Sequence, residues 1–480
     1  MNTTKRTQFY ATELALPPSW YGVGQVPTGM AQPWGQAALS VLPPGLRPKV
    51  WVGRGVCVVG VGLSKSFSGT LSEASAAYRK WANEAEVSWV PGSPLGAADV
   101  AVERDTALAP TNLAPQFRED PRLLLAALGA FPFDSKASGR LEVPQVALIG
   151  VPHLHSFLIW HEDAQALATE VLQRIGVLGQ HPYPLGAQGV ASDGKGWHRL
   201  APEVDFAAWE GSIEGATSAL RAGRAEKVVL ARSESFACET GVDVRALTRD
   251  LLADPDQRCQ DVRGWAFAIG DLVGLSPEVL AQVSAGHFAA RVLAGTSLPG
   301  HGQELFNDPK EVREHEIARE SVISKLNEAG VQGAQAGEVS ILSLPNVDHL
   351  QSTITGQVGE GSDVSTITEV FHPTAAVCGK PREAAAELIA EFDPIVRENF
   401  TGPVGYVLPN GDGQWNLALR CAQTLDEDGL ADAHSPEISR WRLLAGAGIM
   451  PSSTAQHEWD ETGRKMGLMR QVLGINEDVR

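Results

Sequence analysis

The sequence predicts an α+β protein built on large, mainly antiparallel sheets with helices covering them, and three observations carry that expectation. Short apolar runs broken by Pro and Gly fill the first 200 residues, as in LPPSWYGVGQVPTG and VPGSPLGA, which reads as strands and loops. A strong hairpin signal stands at GYVLPNGDGQWNLALRCA (405–422), where Pro409, Asn410, Gly411, Asp412 and Gly413 separate two strand-like runs. Long helical patterns return mainly near 310–328, 381–392 and 455–473, so strands outnumber helices.

In chain order, VWVGRGVCVVGVGLS (50–64) and LLLAALGAFPF (123–133) read as buried strands. WHEDAQALATEVLQRIG (160–176) has helical spacing at Leu167, Val171 and Ile175. A polar, Gly-containing segment from Gln180 to Trp197 marks the expected seam between a variable amino-terminal part, residues 1–204, and the remainder, 205–480. Past Pro202 the pattern sharpens. Trp209, Ile213, Ala216 and Leu220 share one helical face, and that helix leads into KVVLARS, a buried strand. WAFAIGDLVGLSPEVL (265–280) reads as a strand, a turn at Gly270 and Asp271, and a second strand carrying Glu278 behind Pro277. LLAGAGIM (443–450) is a strand of small residues, and the SST after Pro451 can cap the final helix.

Composition narrows the function. A chain of 480 residues with 43% hydrophobic content can bury a large core. Its 57 acidic residues outnumber 39 basic ones and no long Lys/Arg block appears, which argues against a nucleic acid or an anionic membrane as partner. The amino terminus lacks the apolar core of a signal peptide, and no stretch reaches membrane-spanning length. The expected location is the cytoplasm. Cys57, Cys238, Cys259, Cys378 and Cys421 are scattered, with no C-x-x-C pair, and are expected to be reduced and structural. His153, His155 and His161 form the tightest group of zinc-type ligands, but their apolar surroundings favour a structural role.

An acidic chain that binds an anionic metabolite must gather positive charge locally. The last helix carries the clearest pattern for such a site: Glu458, Glu461 and Lys465 at i, i+3 and i+7 project from one face. A solvated Glu-to-Lys pair is the plain alternative. Upstream, the glycines of LLAGAGIM let a ligand approach the backbone. A second acidic helix opens at Asp308 and Pro309, with Glu311 and Glu314 one turn apart. Magnesium takes one or two protein carboxylates and keeps its other positions for water or substrate oxygens, so one glutamate from each helix suffices. A salt-bridged surface helix is again the alternative.

The ordered motifs resemble the chorismate-utilising family that includes isochorismate, salicylate, anthranilate and aminodeoxychorismate synthases. The resemblance covers about residues 205–470: KVVLAR (227–232), GLSPE (274–278), LAGT (293–296), KEVREHE (310–316), DHLQS (348–352), HPTAAVCGKP (372–381), RENFTGPVGY (397–406), LALRCA (417–422), and LLAGAGIMPSS leading to EWDETGRK. It implies one large α/β module of two packed antiparallel sheets around a central cleft for chorismate and Mg2+. By motif position Glu314 and Glu461 are the implied metal ligands, with Glu458 beside them. Arg420 is implied to hold a substrate carboxylate, a job suited to its forked donors. Thr296, His349, Thr374, Ala376, the amides around Gly446 and Gly448, and Lys465 complete the implied pocket.

Replacing the allylic hydroxyl of chorismate by a nucleophile added elsewhere on the ring needs a base on one side and an acid on the other. Ammonia-using relatives carry glutamine where this chain has Lys227. In water-using members that position is a lysine acting as general base, and Glu278 matches the general acid. No glutamine amidotransferase partner is therefore expected. Water as nucleophile leaves isochorismate synthase as the main expectation and salicylate synthase as the alternative; a non-catalytic chorismate-binding regulator is a third reading. Phe400 resembles isochorismate synthases, whereas salicylate synthases tend to carry tyrosine there. Ala375 departs from the usual proline of HPTPA. The sequence does not separate a menaquinone from a siderophore pathway, nor does it give the oligomeric state.

Overall fold

In the computed structural model the described residues are 6–14, 16, 33–53, 55–90, 114–151, 155–178, 196–252, 264–344, 347–425, 437–476 and 479. His153, Cys259 and most of the Gln180–Trp197 seam lie outside them.

The strands form two sheets, one of thirteen strands and one of ten. The first runs from His198–Arg199 through Lys227–Asp243, Glu437–Ile449, Cys421–Thr424, Leu272–Ser276, Trp265–Ile269, Lys49–Val52, Cys57–Val61, Val146–Val151, His155–His161 and Gln8–Leu14 to Glu86–Trp89, with Gly379–Lys380 pairing beside Lys227. The second runs from Gln332–Ala336 through Val347–Gln357, His287–Ser297, Val279–Ser284, Gly413–Leu417, Pro403–Val407, Ala127–Ala130 and Gly139–Val143 to Lys65–Gly69, with Ser340–Leu344 pairing beside Val347–Gln357. Among the described strands only Gln8–Leu14 and Glu86–Trp89 pair in parallel. The α+β class with two packed, mainly antiparallel sheets is thus the observed architecture. Strands from both sides of residue 204 interleave, because Lys49–Val52 pairs with Trp265–Ile269 and Ala127–Ala130 with Pro403–Val407.

Side-chain alternation sorts two cores on the faces of the first sheet. Trp51 and Val58 point to the inter-sheet core with Phe157, Phe267, Trp415 and Leu417. Their neighbours Val50, Val52, Val59 and Val61 point the other way, under Ala37, Leu247, Leu251, Met466 and Met469 of the covering helices. Each such side chain buried contributes about 1.5–3 kcal/mol.

Three segments differ in detail from the sequence expectation. Residues 50–64 form two strands rather than one, because Gly53 packs against the Trp265 ring and Gly55 takes a positive φ of 106°, turning the chain back. Within 123–133 the strand shrinks to Ala127–Ala130 behind a 3₁₀ turn at Pro121–Leu124, which Asp120 caps. Thr454 holds the N-cap position of the Ala455–Leu473 helix without a side-chain cap bond. Ser453 Oγ instead accepts from Met450 N at 3.1 Å and bends the chain before the helix.

The four described cysteines, Cys57, Cys238, Cys378 and Cys421, are free and buried. His155 lies 3.2 Å from Glu13 and His161 caps Asp163 N, which are structural contacts. Among the described residues no helix is long and apolar enough to cross a membrane.

Candidate active site

The chain crosses from one sheet to the other twice at neighbouring points. Leu272–Ser276 lies in the first sheet and Val279–Ser284 in the second, so Pro277 and Glu278 form the crossing rather than part of a strand, as the sequence had led us to expect. The return crossing runs from Gly413–Leu417 to Cys421–Thr424 and carries Arg420, whose φ of 48° is sparsely populated for a side-chain-bearing residue. Ser276 Oγ donates to Leu417 O at 2.6 Å and Leu275 N to Arg420 O at 3.1 Å, locking the two crossings together.

Both crossings open on a cavity that, with the solvent space at its mouth, measures about 680 Å³. Its wall includes Glu278, Thr296, Glu314, His349, Ala376, Phe400, Arg420, Gly446, Gly448 and Lys465. Burial pushes the Glu278 carboxyl up to about 8, despite the Leu293 amide, which donates to it at 3.4 Å, and the charge of Lys227. Glu278 is accordingly a protonated acid at neutral pH. Thr296 and His349 face each other across two paired strands, next to a bulge at Gly295, whose φ is 81°. His349 Nδ1 lies 3.2 Å from Gly295 O, and Arg420 Nη2 reaches His349 Nε2 at 2.8 Å. Burial and the Arg420 charge hold His349 well below the usual imidazole range, so neutral His349 donates from Nδ1 and accepts from Arg420. Burial also lowers Arg420 to about 10, and the guanidinium remains a cation.

Lys227 opens the strand Lys227–Asp243, is fully buried and does not itself line the cavity. Its Nζ lies 3.0 Å from Glu314 Oε1 in an ion pair without hydrogen-bond geometry. A Cβ on Gly448 would stand 2.4 Å from Glu314 Oε1 and 3.0 Å from Lys227 Cε. The bare backbone of Gly448 is what lets these two side chains adjoin the space. Thr374 likewise stays off the wall; its buried carbonyl accepts from Val377 N and Cys378 N, shaping the turn that presents Ala376.

Glu458 and Glu461 are buried beneath Lys465, which donates to Glu461 Oε1 at 2.6 Å and Gly446 O at 3.0 Å. Burial opposes ionisation of Glu461, yet Lys465 and Lys310 hold its carboxyl down at about 2. Both Glu458 oxygens are buried without a hydrogen-bond donor. Orphaned hard oxygens beside other carboxylates fit a divalent cation that prefers oxygen ligands. Lys310, not singled out in the sequence, reaches into this group, 3.2 Å from Glu311 and 3.6 Å from Glu458. Despite burial, these carboxylates raise its ammonium above the ordinary range. Glu311, visible only as the acid one turn before Glu314, accepts from Thr296 N at 2.6 Å, and burial and Glu314 lift its carboxyl to about 7. His457, 3.5 Å from Glu458, completes a His457–Glu458–Glu461 group of metal-binding type. The adjacency of His457 to Glu458 was its only sequence signal.

A family model described as "Chorismate binding enzyme" matches residues 153–474. The chain belongs to the chorismate-binding enzyme family. The match begins upstream of the motifs and takes in His155–His161, a strand of the first sheet. Isochorismate synthase EntC of Escherichia coli K12 is 26% identical over 362 residues, covering 73% of this chain and 81% of that protein. Isochorismate synthase MenF of Bacillus subtilis is 30% identical over 290 residues, 57% of each chain. In fold, the chain matches the crystal structure of a 2,3-dihydroxybenzoate-specific isochorismate synthase, DhbC, from Bacillus anthracis, described there as putative. The TM-score is 0.67 at 21% identity, over 92% of this chain and all of that one.

Proposed function

We propose that this family member is an isochorismate synthase that isomerises chorismate to isochorismate. The observation that carries the reading is a buried lysine and a buried, protonated carboxyl group that approach one cavity from separate elements, Lys227 at a strand start and Glu278 at a sheet crossing. The similarity to isochorismate synthases supports it.

Lys227, as the proposed base, takes a proton from water as its oxygen bonds to C2 of the ring. The ring double bonds shift and the C4–O bond breaks. Glu278 gives its proton to the departing hydroxyl, which leaves as water. One water enters and one leaves, so the net reaction is an isomerisation. Arg420, fixed by His349, binds a substrate carboxylate, and the wall at Thr296, Ala376, Gly446 and Gly448 shapes the ring's seat. Glu314, Glu461 and Glu458 would hold Mg2+, which supplies a Lewis acid for the ring carboxylate. Thr374 acts through the turn behind Ala376. The free, buried cysteines fit a reducing, cytoplasmic setting.

Phe400 lines the cavity with an apolar ring, where a tyrosine would place a hydroxyl, and this favours stopping at isochorismate over eliminating pyruvate. The test is incubation of the purified protein with chorismate and magnesium, followed by chromatographic identification of products. Isochorismate as sole product is expected. Salicylate with pyruvate would establish the salicylate synthase alternative; binding without turnover would establish a regulator; turnover only with ammonia would overturn the role of Lys227.

A further inference from the structure

The Ala455–Leu473 helix presents Glu458, Glu461 and Lys465 on one face and Trp459, Gly463 and Arg470 on the opposite one. That second face borders another cavity, about 990 Å³ measured to its open mouth.

Four arginines line it: Arg199, Arg232, Arg464 and Arg470. Three converge on one carboxylate. Arg232 Nη1 lies 2.9 Å from Glu234, Arg199 lies 3.5 Å from it, and Arg470 is ion-paired with its other oxygen. Arg464 has no hydrogen-bond or ion-pair partner among the described residues, and its Nε is buried. The Nε of Arg470 is buried without a hydrogen bond as well. Asp460 is the other acid on the wall, and its Oδ1 already accepts from Gln456 at 2.9 Å. Among the described residues, four cations therefore face two anions, in a chain whose net charge is −18. Burial, together with the charges of Arg470 and Arg199, lowers Arg232 despite its Glu234 partner, a sign of crowded positive charge.

Such crowding is unfavourable unless an anion offsets it. The rest of the wall is Gly463, Asn476 and the apolar side chains of Phe236, Trp459, Ile475 and Val479. Arg232 stacks 3.6 Å from the centre of the Trp459 ring. Guanidinium forks match a planar carboxylate, and aromatic and aliphatic walls match a ring.

We propose that this cavity is a second ligand site, separate from the chorismate cavity, that binds an aromatic carboxylate. The carboxylate is taken by Arg464 and Arg470 and the ring rests against Trp459 and Phe236. Recognition here does not depend on which reaction the first cavity carries out.

The test is isothermal titration of the full chain with benzoate, repeated on Arg464→Gln, Arg470→Gln and, as a chorismate-cavity control, Arg420→Gln. Binding is expected in the parent protein and in Arg420→Gln, and about tenfold weaker in each cavity variant, the effect of one charge-assisted hydrogen bond. Arg464→Gln removes no described contact, so it stays informative even if Arg470→Gln, which strips Glu234 of a partner, fails to fold. Binding that survives both cavity substitutions, or that vanishes in Arg420→Gln alone, overturns the proposal. Inorganic phosphate binding as tightly as benzoate overturns the aromatic class. Benzoate binding that appears only after removal of residues 477–480 makes the chain's own acidic tail the occupant and likewise overturns it.

Discussion

Arg420 and His349 form one unit, with the guanidinium donating to Nε2 at 2.8 Å while the opposite ring nitrogen is tied to Gly295 O. Arg420 lines the cavity from a sparsely populated backbone conformation. Arg420→Lys keeps the charge and loses the fork; we expect KM for chorismate to rise about 10- to 100-fold, or ~1.4–2.8 kcal/mol. His349→Ala should raise KM by less. Steady-state kinetics decide, and an unchanged KM in Arg420→Lys removes it from substrate binding.

Glu278 makes stability and activity depend on pH in the same direction. Its carboxyl is raised by burial from 4.5 to about 8, so the folded protein holds this proton more tightly than the unfolded chain. The stabilisation it contributes is complete below about 4.5 and is lost as pH rises through 8. Activity should fall over the same upper limb as the acid ionises. Glu278→Gln should be inactive yet more stable than the parent at pH 9, by up to ~5 kcal/mol. Melting curves at pH 6 and 9 test this, and a difference that does not widen at the higher pH contradicts it.

Lys227→Gln replaces the proposed base with a neutral group of similar length. Turnover should drop by about 10²–10⁴-fold, the usual worth of general acid–base catalysis, while the far-ultraviolet dichroism stays unchanged. Retained turnover defeats the assignment.

Gly448→Ala puts a methyl carbon 2.4 Å from Glu314 Oε1 and 3.0 Å from Lys227 Cε. The nearest atom is the movable end of Glu314, so the fold should persist with a melting temperature within about 5 °C, a change of ~1–2 kcal/mol. The displaced carboxylate should cost most of the activity and weaken magnesium binding. Full activity would show that the approach over Gly448 is irrelevant to catalysis.

Glu458→Gln removes the negative charge from a side chain whose two oxygens lack donors. Magnesium titrations should show affinity reduced by about tenfold or more, and the thermal stabilisation given by saturating magnesium should shrink with it. An identical titration rules out Glu458 as a ligand.

How far the sequence could be read depended on the range of the interactions concerned. Glu458, Glu461 and Lys465 were visible as one face because helical periodicity is local, and the Pro409–Gly413 turn announced its hairpin for the same reason. The meeting of Glu278 and Arg420 was implied only by the family resemblance and by no local spacing. Each lies in a short link between strands of different sheets, and their proximity follows from Leu272–Ser276 pairing with Cys421–Thr424, about 150 residues away. Lys310 escaped notice because a lysine beside acids normally reaches water, whereas here it turns inward to Glu311 and Glu458. The motifs placed Lys227 on its strand and Gly448 in the pocket but carried no sign that a side chain at Gly448 would collide with Glu314 beside Lys227, since close approach across a sheet leaves no trace in spacing.

The interleaving of early and late strands constrains how the polypeptide matures. Lys49–Val52 acquires its second neighbour only when Trp265–Ile269 exists, and Ala127–Ala130 must wait for Pro403–Val407. During translation at about 5–20 residues per second, the first of these segments stands with an open edge for some ten seconds or more. High contact order of this kind slows folding and leaves unpaired edges vulnerable to association with other chains, so a holdase acting on the emerging polypeptide should raise the yield of native enzyme.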